Sequence, residues 1–242
     1  MKRTYALKLA YDGGAFRGWQ KQPGQVTVQG AVEDALRALL GKPYTLHGAS
    51  RTDAGVHALA QVASFSSGRD PDLSRLALPD GARVTASAVA SPSFHARASS
   101  TGKRYRYRFC VGAPDAAAFF LGSLAKPDWE RARQALDALG GLEELPGLAS
   151  PSTNRKPPPP LTRWSLETDP AGGVLEVEAR AFRKHQVRNL AGHLAAVALG
   201  LAAPSTLTEL ARRKRPWMGA TAPPHGLTLL EVLYPRAIDP FF

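Results

Sequence analysis

Thr4-Tyr5-Ala6-Leu7-Lys8-Leu9-Ala10-Tyr11 runs directly into Asp12-Gly13. Tyr5, Leu7, Leu9 and Tyr11 alternate with smaller or polar residues, which is the period of two of a strand, and Asp-Gly is a turn dipeptide. The period then changes. From Thr27, read as an N-cap, residues Val28, Ala31, Val32, Ala35, Leu36, Leu39 and Leu40 share one helical face, and Gly41 stands where a helix-ending glycine belongs. Strand patterns at 43–48 and 59–66, a short amphipathic helix near 72–78 stopped by Pro79, and a strand at 82–90 complete the order βαββαβ.

The same order is read again downstream. A strand at 103–111 is followed by a helix from Asp128 to Leu139, ended by Gly140-Gly141, and by strands near 161–168 and 174–181. A long helix at about 184–201 and a strand at 227–234 close the set. A further helix at 205–214 ends in Arg212-Arg213-Lys214-Arg215. Residues 150–160, with Asn154-Arg155-Lys156 leading into Pro157 to Pro160, fit neither a helix nor a central strand and predict an exposed loop. Two βαββαβ runs predict an α+β protein of two ferredoxin-like halves, 1–98 and 99–242, each with helices on one face of an antiparallel sheet. On strand 103–109, Tyr105, Tyr107 and Phe109 point to one side and Arg104, Arg106 and Arg108 to the other, an arrangement suited to stacking on one side and phosphate on the other.

The chain has 242 residues, and 31 Lys+Arg against 20 Asp+Glu leave a formal charge of +11, which favours a polyanionic partner such as nucleic acid. Ordinary hydrophobic (44%) and charged (21%) fractions exclude a wholly disordered or fibrous chain. The single cysteine, Cys110, excludes a disulfide framework and multi-cysteine metal sites. No apolar run is long enough for a membrane span, because 190–203 is interrupted by Gly192, His193 and Gly200. No signal-peptide pattern follows Met1-Lys2-Arg3. The expected location is therefore the cytoplasm.

The segment Gly48-Ala49-Ser50-Arg51-Thr52-Asp53-Ala54-Gly55-Val56-His57-Ala58 is too long for a tight hairpin, and its glycines allow Arg51 and Asp53 to sit near the sheet surface. Taken alone, these residues read most simply as an Asx-turn closed by Asp53 with Arg51 as its surface partner. The wider pattern adds to this. Arg51-Thr52-Asp53-Ala54-Gly55-Val56-His57-Ala58 resembles the signature of the tRNA pseudouridine synthase A family. So do Tyr11-Asp12-Gly13-Gly14-Ala15-Phe16-Arg17-Gly18-Trp19-Gln20, Val28-Gln29-Gly30, Gln61-Val62 with Phe65, and Phe94-His95-Ala96-Arg97. Further blocks are Lys103-Arg104-Tyr105-Arg106-Tyr107, Phe182 with His185-Gln186-Val187-Arg188-Asn189 and Gly192, and Gly226-Leu227 with Leu229. They occur in the family's order over essentially the whole chain.

The resemblance implies a pseudouridine synthase fold in which the two halves share a continuous antiparallel sheet with the active-site cleft between them. It implies a cofactor-free isomerisation of uridine to pseudouridine at positions 38, 39 and 40 of the tRNA anticodon stem-loop, and a homodimer with one tRNA touching both subunits. By the same resemblance Asp53 is the catalytic carboxylate, acting on the ribose or the base or assisting elimination. Arg51 enters the space left by the flipped nucleotide, Tyr105 stacks on the uracil, and Arg188 partners Asp53. A basic helix start also points to a nearby anion at Arg188, since cations there oppose the helix macrodipole, although another carboxylate or water would serve as partner. Lys184, Arg212 and Arg213, with Arg104 and Arg106, are candidate RNA backbone contacts. The chain departs from the family at 140–160, where a phenylalanine-containing block is usual, and Ser50 stands where glycine is common; no role is transferred to 140–160.

The six histidines show no ligand spacing with carboxylates or Cys110, so no metal is expected. Two other readings remain open: a non-catalytic RNA-binding module of the same βαββαβ order, and a metal-dependent nuclease. The first would place a glycine-aromatic pattern on its central strand, which Lys103-Arg104-Tyr105-Arg106-Tyr107 lacks, and the second needs clustered carboxylates where the loop offers Asp53.

Overall fold

The structure, a computed structural model, describes residues 2–152, 156–215, 217 and 219–242. Asn154 and Arg155 of the proline-rich segment lie outside the described residues. In chain order the elements are β1 (Arg3–Tyr11), α1 (Val28–Leu40), β2 (His47–Gly48), β3 (His57–Ser67), β4 (Ala82–Ala90), β5 (Gly102–Cys110), β6 (Phe119–Phe120), α2 (Trp129–Asp137), β7 (Arg163–Asp169), β8 (Gly172–Ala179), α3 (Gln186–Ala198), α4 (Ser205–Arg212) and β9 (Leu227–Leu233). They form two compact units, Met1–Gly102 with Thr228–Phe242, and Lys103–Leu227. Among the described residues no helix is long and apolar enough to cross a membrane.

In the first unit β1 is flanked by β3 and β4, both antiparallel to it, and β9 pairs parallel to β3 through His57 and Thr228. The register sets Tyr5 opposite Phe65, Leu7 opposite Ala63 and Leu9 opposite Gln61, so the alternation of β1 places one continuous row toward the core. The Tyr5 and Phe65 rings stack at 5.4 Å. Val32, Leu36 and Leu40 of α1 are buried. That helix begins and ends where local chemistry dictates: Thr27 Oγ1 accepts from Gly30 N–H at 3.3 Å, and Gly41, at φ +75, sends its N–H to Arg37 O. The C-terminal aromatics stay within this unit, with Lys8 Nζ 4.6 Å above the Phe241 ring and the Arg236 guanidinium 3.9 Å above Phe242.

Two short elements depart from their sequence patterns. The stretch expected to be a strand at 43–48 pairs only at His47 and Gly48: Pro43 has no amide to donate, and both backbone groups of Leu46 are taken by α1, its N–H by Glu33 Oε1 and its carbonyl by Gln29 Nε2. The expected helix near 72–78 is a single 3-10 turn, Leu73–Arg75, capped by Asp72. Pro71 and Pro79 bracket it too closely for an α-helix to propagate.

In the second unit β8 lies between β5 and β7, antiparallel to both, and β6 runs parallel to β5 at Phe109 and Phe119. The aromatic side of β5 faces the core rather than solvent. Tyr107 is fully buried, and Phe109 packs 5.5 Å from Trp129 at the start of α2. Trp129 also lies over Gly173 of β8, where a side chain would crowd its ring. The divergent segment supplies core too: Leu145 and Leu148 are buried, and Gly147 lets the chain press against the Leu210 carbonyl of α4.

Removing the α1 cap should test the local account. Thr27→Ala is expected to lower stability by ~1 kcal/mol, measured as a fall in the denaturant midpoint at unchanged slope.

Candidate active site

The loop between β2 and β3 is built around a buried glutamine. Gln61, fully buried on β3, brackets Ser50: its Oε1 accepts from Ser50 N–H at 3.1 Å and its Nε2 donates to Ser50 O at 2.7 Å. The same Nε2 reaches the Tyr11 hydroxyl at 3.3 Å, and that hydroxyl lies 2.8 Å from Thr52 Oγ1. Thr52 O in turn accepts from Trp19 N–H, and Val56 N–H donates to Asp53 O with Gly55 at φ +82. Ser50 and Thr52 are thus held on either side of Arg51. Arg51 is exposed and makes no hydrogen bond or ion pair among the described residues, and Asp53 is half-buried one residue beyond Thr52.

The segment after β1 forms the floor of this loop. A side chain at Gly13 would overlap the Val56 carbonyl, and the close approach is used by Gly55 N–H, which donates to Gly13 O at 3.2 Å. Gly18, at φ +89, lets its backbone lie against residues 52–54. Trp19 is buried over Gly48, where any side chain would collide with the indole. The floor is fixed to the start of α1, because Val28 N–H donates to Gly18 O and Gln29 N–H to Trp19 O. These contacts give a physical reason for Tyr11 to Gln20 and Val28 to Gly30 to occur together with the Arg51–Asp53 loop.

The second unit places Tyr105 and Arg188. Tyr105 is 5% exposed, with its ring edge-on to Phe182 at 5.2 Å. Arg188, half-buried in the first turn of α3, is gripped by residue 222: its Nε donates to Ala222 O at 2.8 Å and its carbonyl accepts from Ala222 N–H at 3.2 Å. Gly192, one turn on, leaves room for the backbone of Ala220 and Ala222. The neighbouring Asn189 is fully buried, accepting from Thr221 Oγ1 and donating to Leu148 O. His185 caps α3 in the left-handed region at φ +59, the one described non-glycine residue there, with Nδ1 3.1 Å from Ser150 Oγ. Such a conformation persists only where surroundings impose it, and Ser150 does so by also donating its N–H to Lys184 O.

The candidate backbone contacts divide into two groups. Arg104 meets Glu178 at 3.2 Å and Arg106 meets Glu176 at 2.8 Å, each carboxylate directly opposite its arginine in the β5–β8 register. Arg108 likewise meets Asp115 at 2.9 Å, and the backbone N–H of Ala117, together with this guanidinium, holds that carboxyl below its usual range. Lys184, Arg212 and Arg213 are exposed. Among the described residues no three His, Cys, Asp or Glu side chains are grouped to hold a metal. Sequence reading passed over the Tyr11–Gln61 network as a device, although a glutamine on the core-facing row of a strand is a signal for one.

A family model described as tRNA pseudouridine synthase matches residues 102–235. The tRNA pseudouridine synthase A of Methylococcus capsulatus is 38% identical over 96% of this chain and 89% of its own length. That of Thermosipho africanus is 35% identical over 97% of this chain and all of its own length. A solved archaeal Nop10–Cbf5 complex aligns over 80% of this chain and 43% of its own at 11% identity, with a TM-score of 0.37, too slight to bear on the fold. The chain belongs to the tRNA pseudouridine synthase family, enzymes that isomerise uridine to pseudouridine.

Gln61→Ala should release Ser50 and leave buried polar groups unpaired, lowering stability by ~1–3 kcal/mol. Displacing the loop should also lower single-turnover pseudouridine formation by on the order of a hundredfold, with tRNA affinity retained. Titration supplies a separate check. Burial pushes the Tyr11 phenol up to about 12, against the smaller opposing pull of the Thr52 and Gln61 hydrogen bonds. Below the ordinary value of 10.0 the phenol is neutral in both states; above it the unfolded chain ionises while the folded one keeps its proton. Stability should therefore fall from pH 10 toward 12, by up to ~1.4 kcal/mol per unit for this phenol, and Tyr11→Phe should make the fall shallower in denaturant titrations.

Proposed function

We propose that this protein isomerises uridine to pseudouridine at positions 38, 39 and 40 of the tRNA anticodon stem-loop. The observation that carries the reading is the braced loop, in which an exposed Arg51, without a hydrogen bond or ion pair among the described residues, stands two residues from Asp53 on a scaffold of buried hydrogen bonds.

The reaction conserves atoms and oxidation state. The bond from ribose C1′ to uracil N1 breaks, the base turns, C1′ joins C5, and the proton lost from C5 is balanced by one gained at N1. Such a change calls for no cofactor. It does require the nucleotide to leave the helical stack, because a stacked base hides the atoms concerned. Arg51 fills the vacated space, and Tyr105 lies against the extruded uracil. Asp53 supplies the carboxylate. Attack on the ribose, attack on the base and assisted elimination share one requirement, a carboxylate held in a fixed direction. Arg188 is its proposed partner, and the grip of Ala222 on the Arg188 Nε supports the assignment by fixing the guanidinium's orientation.

Lys184, Arg212 and Arg213 bind the RNA backbone, while Arg104 and Arg106 contribute less because Glu178 and Glu176 share their charge. The enzyme acts in the cytoplasm as a homodimer, with one tRNA touching both subunits.

Incubation with unmodified tRNA in excess chelator, followed by single-nucleotide pseudouridine mapping, tests the reading. Conversion at 38 to 40 is expected with the native protein and none with Asp53→Ala, which should still bind tRNA. Arg188→Ala should reduce turnover by at least on the order of a hundredfold. Binding without conversion by the native protein would instead mark an RNA-binding module, and appreciable turnover in Asp53→Ala would remove that carboxylate from the mechanism.

A further inference from the structure

An open groove of about 560 Å³ in the first unit, distinct from the Arg51–Asp53 loop, is lined by Lys2, Lys42, Tyr44, Thr45, His47 and Ser66, and no carboxylate lines it among the described residues. Neither Lys2 nor Lys42 makes an ion pair with a described residue, in contrast to Arg104, Arg106 and Arg108, each of which rests on an acidic side chain. The three basic groups come from separate elements. Lys2 precedes β1, Lys42 follows the end of α1, and His47 opens β2. A lysine just past a helix C-terminus also suits the macrodipole, which explains Lys42 by itself but not the convergence of the other two. Lys42 Nζ is 5.6 Å from the Tyr44 ring centroid, and His47 packs on His95 at 4.7 Å. His95 is itself held, with its Nδ1 accepting from the Arg97 and Ala98 amides.

We infer that this groove is a second RNA-binding site, which takes backbone phosphates of the tRNA outside the anticodon stem-loop. The inference rests on tRNA being the substrate. Its location follows from β3, which begins at His57 beside the Asp53 loop and carries Ser66 into the groove. Nine steps at ~3.3 Å put Ser66 ~30 Å from His57, and Lys2 lies at that far end because Arg3 pairs with Ser67, while His47, opposite Ser64, forms the edge of the groove nearer the loop. An A-form RNA stem rises less per pair than the ~3.4 Å of B-form DNA, so that span exceeds roughly nine pairs, more than an anticodon stem provides. Lys2 and Lys42 supply charge to the phosphates, and Tyr44, Thr45 and Ser66 supply hydroxyl groups that can donate to phosphate oxygens.

The test compares the native protein with Lys2→Ala/Lys42→Ala, binding full-length unmodified tRNA and the isolated anticodon stem-loop over a salt series. Arg75→Ala/Arg83→Ala, which removes two exposed charges outside the groove, gauges the non-specific effect. For full-length tRNA the groove variant should raise Kd about tenfold near 150 mM salt and lower the slope of log K against log salt by ~1.4–1.8, the release from two phosphate contacts. For the stem-loop both changes should be much smaller. An unchanged Kd and slope with full-length tRNA would overturn the inference, as would equal losses on the two RNAs or an equal loss in the Arg75/Arg83 variant. A tenfold excess of inorganic phosphate over the RNA should not relieve the difference; if it does, the groove is a free-phosphate site. Pseudouridine formation by the native protein is scored separately, so a failed groove and a failed isomerase assignment give different results.

Discussion

The side chain of Gln61 is the interaction on which the candidate site depends. It is fully buried in β3, and its carbonyl and amide are spent on both backbone groups of Ser50, with the amide shared to Tyr11. A buried amide leaves little freedom, because any unpaired polar atom there is costly. The loop therefore has one low-energy path, and Thr52, tied to Tyr11 and Trp19, continues it up to Asp53. Rigidity at the loop is a tertiary product of β1, β3 and the segment before α1, none of which carries a proposed catalytic group.

The second unit holds Arg188 by a different device. Arg188 is aimed by backbone of a segment more than thirty residues later in the chain, and that segment can lie so close because position 192 is glycine. Beneath it, Asn189 ties α3 to Leu148 and Thr221, and His185 accepts a left-handed backbone to begin the helix where Ser150 can reach it. The divergent 140–160 stretch thus still performs a structural task. Leu145 and Leu148 fill core, and Leu148 offers the carbonyl that Asn189 needs.

Net charge alone would treat all the basic side chains as equivalent, and the structure separates them. Arg104 and Arg106 of β5 form cross-strand pairs that offset charge on a sheet face, whereas Lys2 and Lys42 have no carboxylate partner among the described residues around their groove. The pairs of the first kind are half-buried, and each arginine's charge is offset by its carboxylate before a polyanion can meet it. Unpaired cations of the second kind keep their full attraction for phosphate.

The sequence by itself determined the order of the longer elements, the ends of α1 and the peculiarity of the Arg51–Asp53 loop, because strand alternation, helix caps and glycine turns act over a few residues; the 3-10 turn at Leu73–Arg75 and the short β6 were not legible there. Thr27 and Gly41 could be read as cap and stop since each satisfies groups on its own turn. It also carried the family, through motifs whose spacing spans the chain. Tertiary structure alone decided that Tyr107 and Phe109 belong to the core, that Arg104 and Arg106 face Glu178 and Glu176, and that β9 joins the first unit after the whole second unit has intervened. Those outcomes depend on register between strands some seventy residues apart, and on which sheet face the helices cover. Side-chain periodicity along one strand identifies two faces but carries no information about which of them another element will bury.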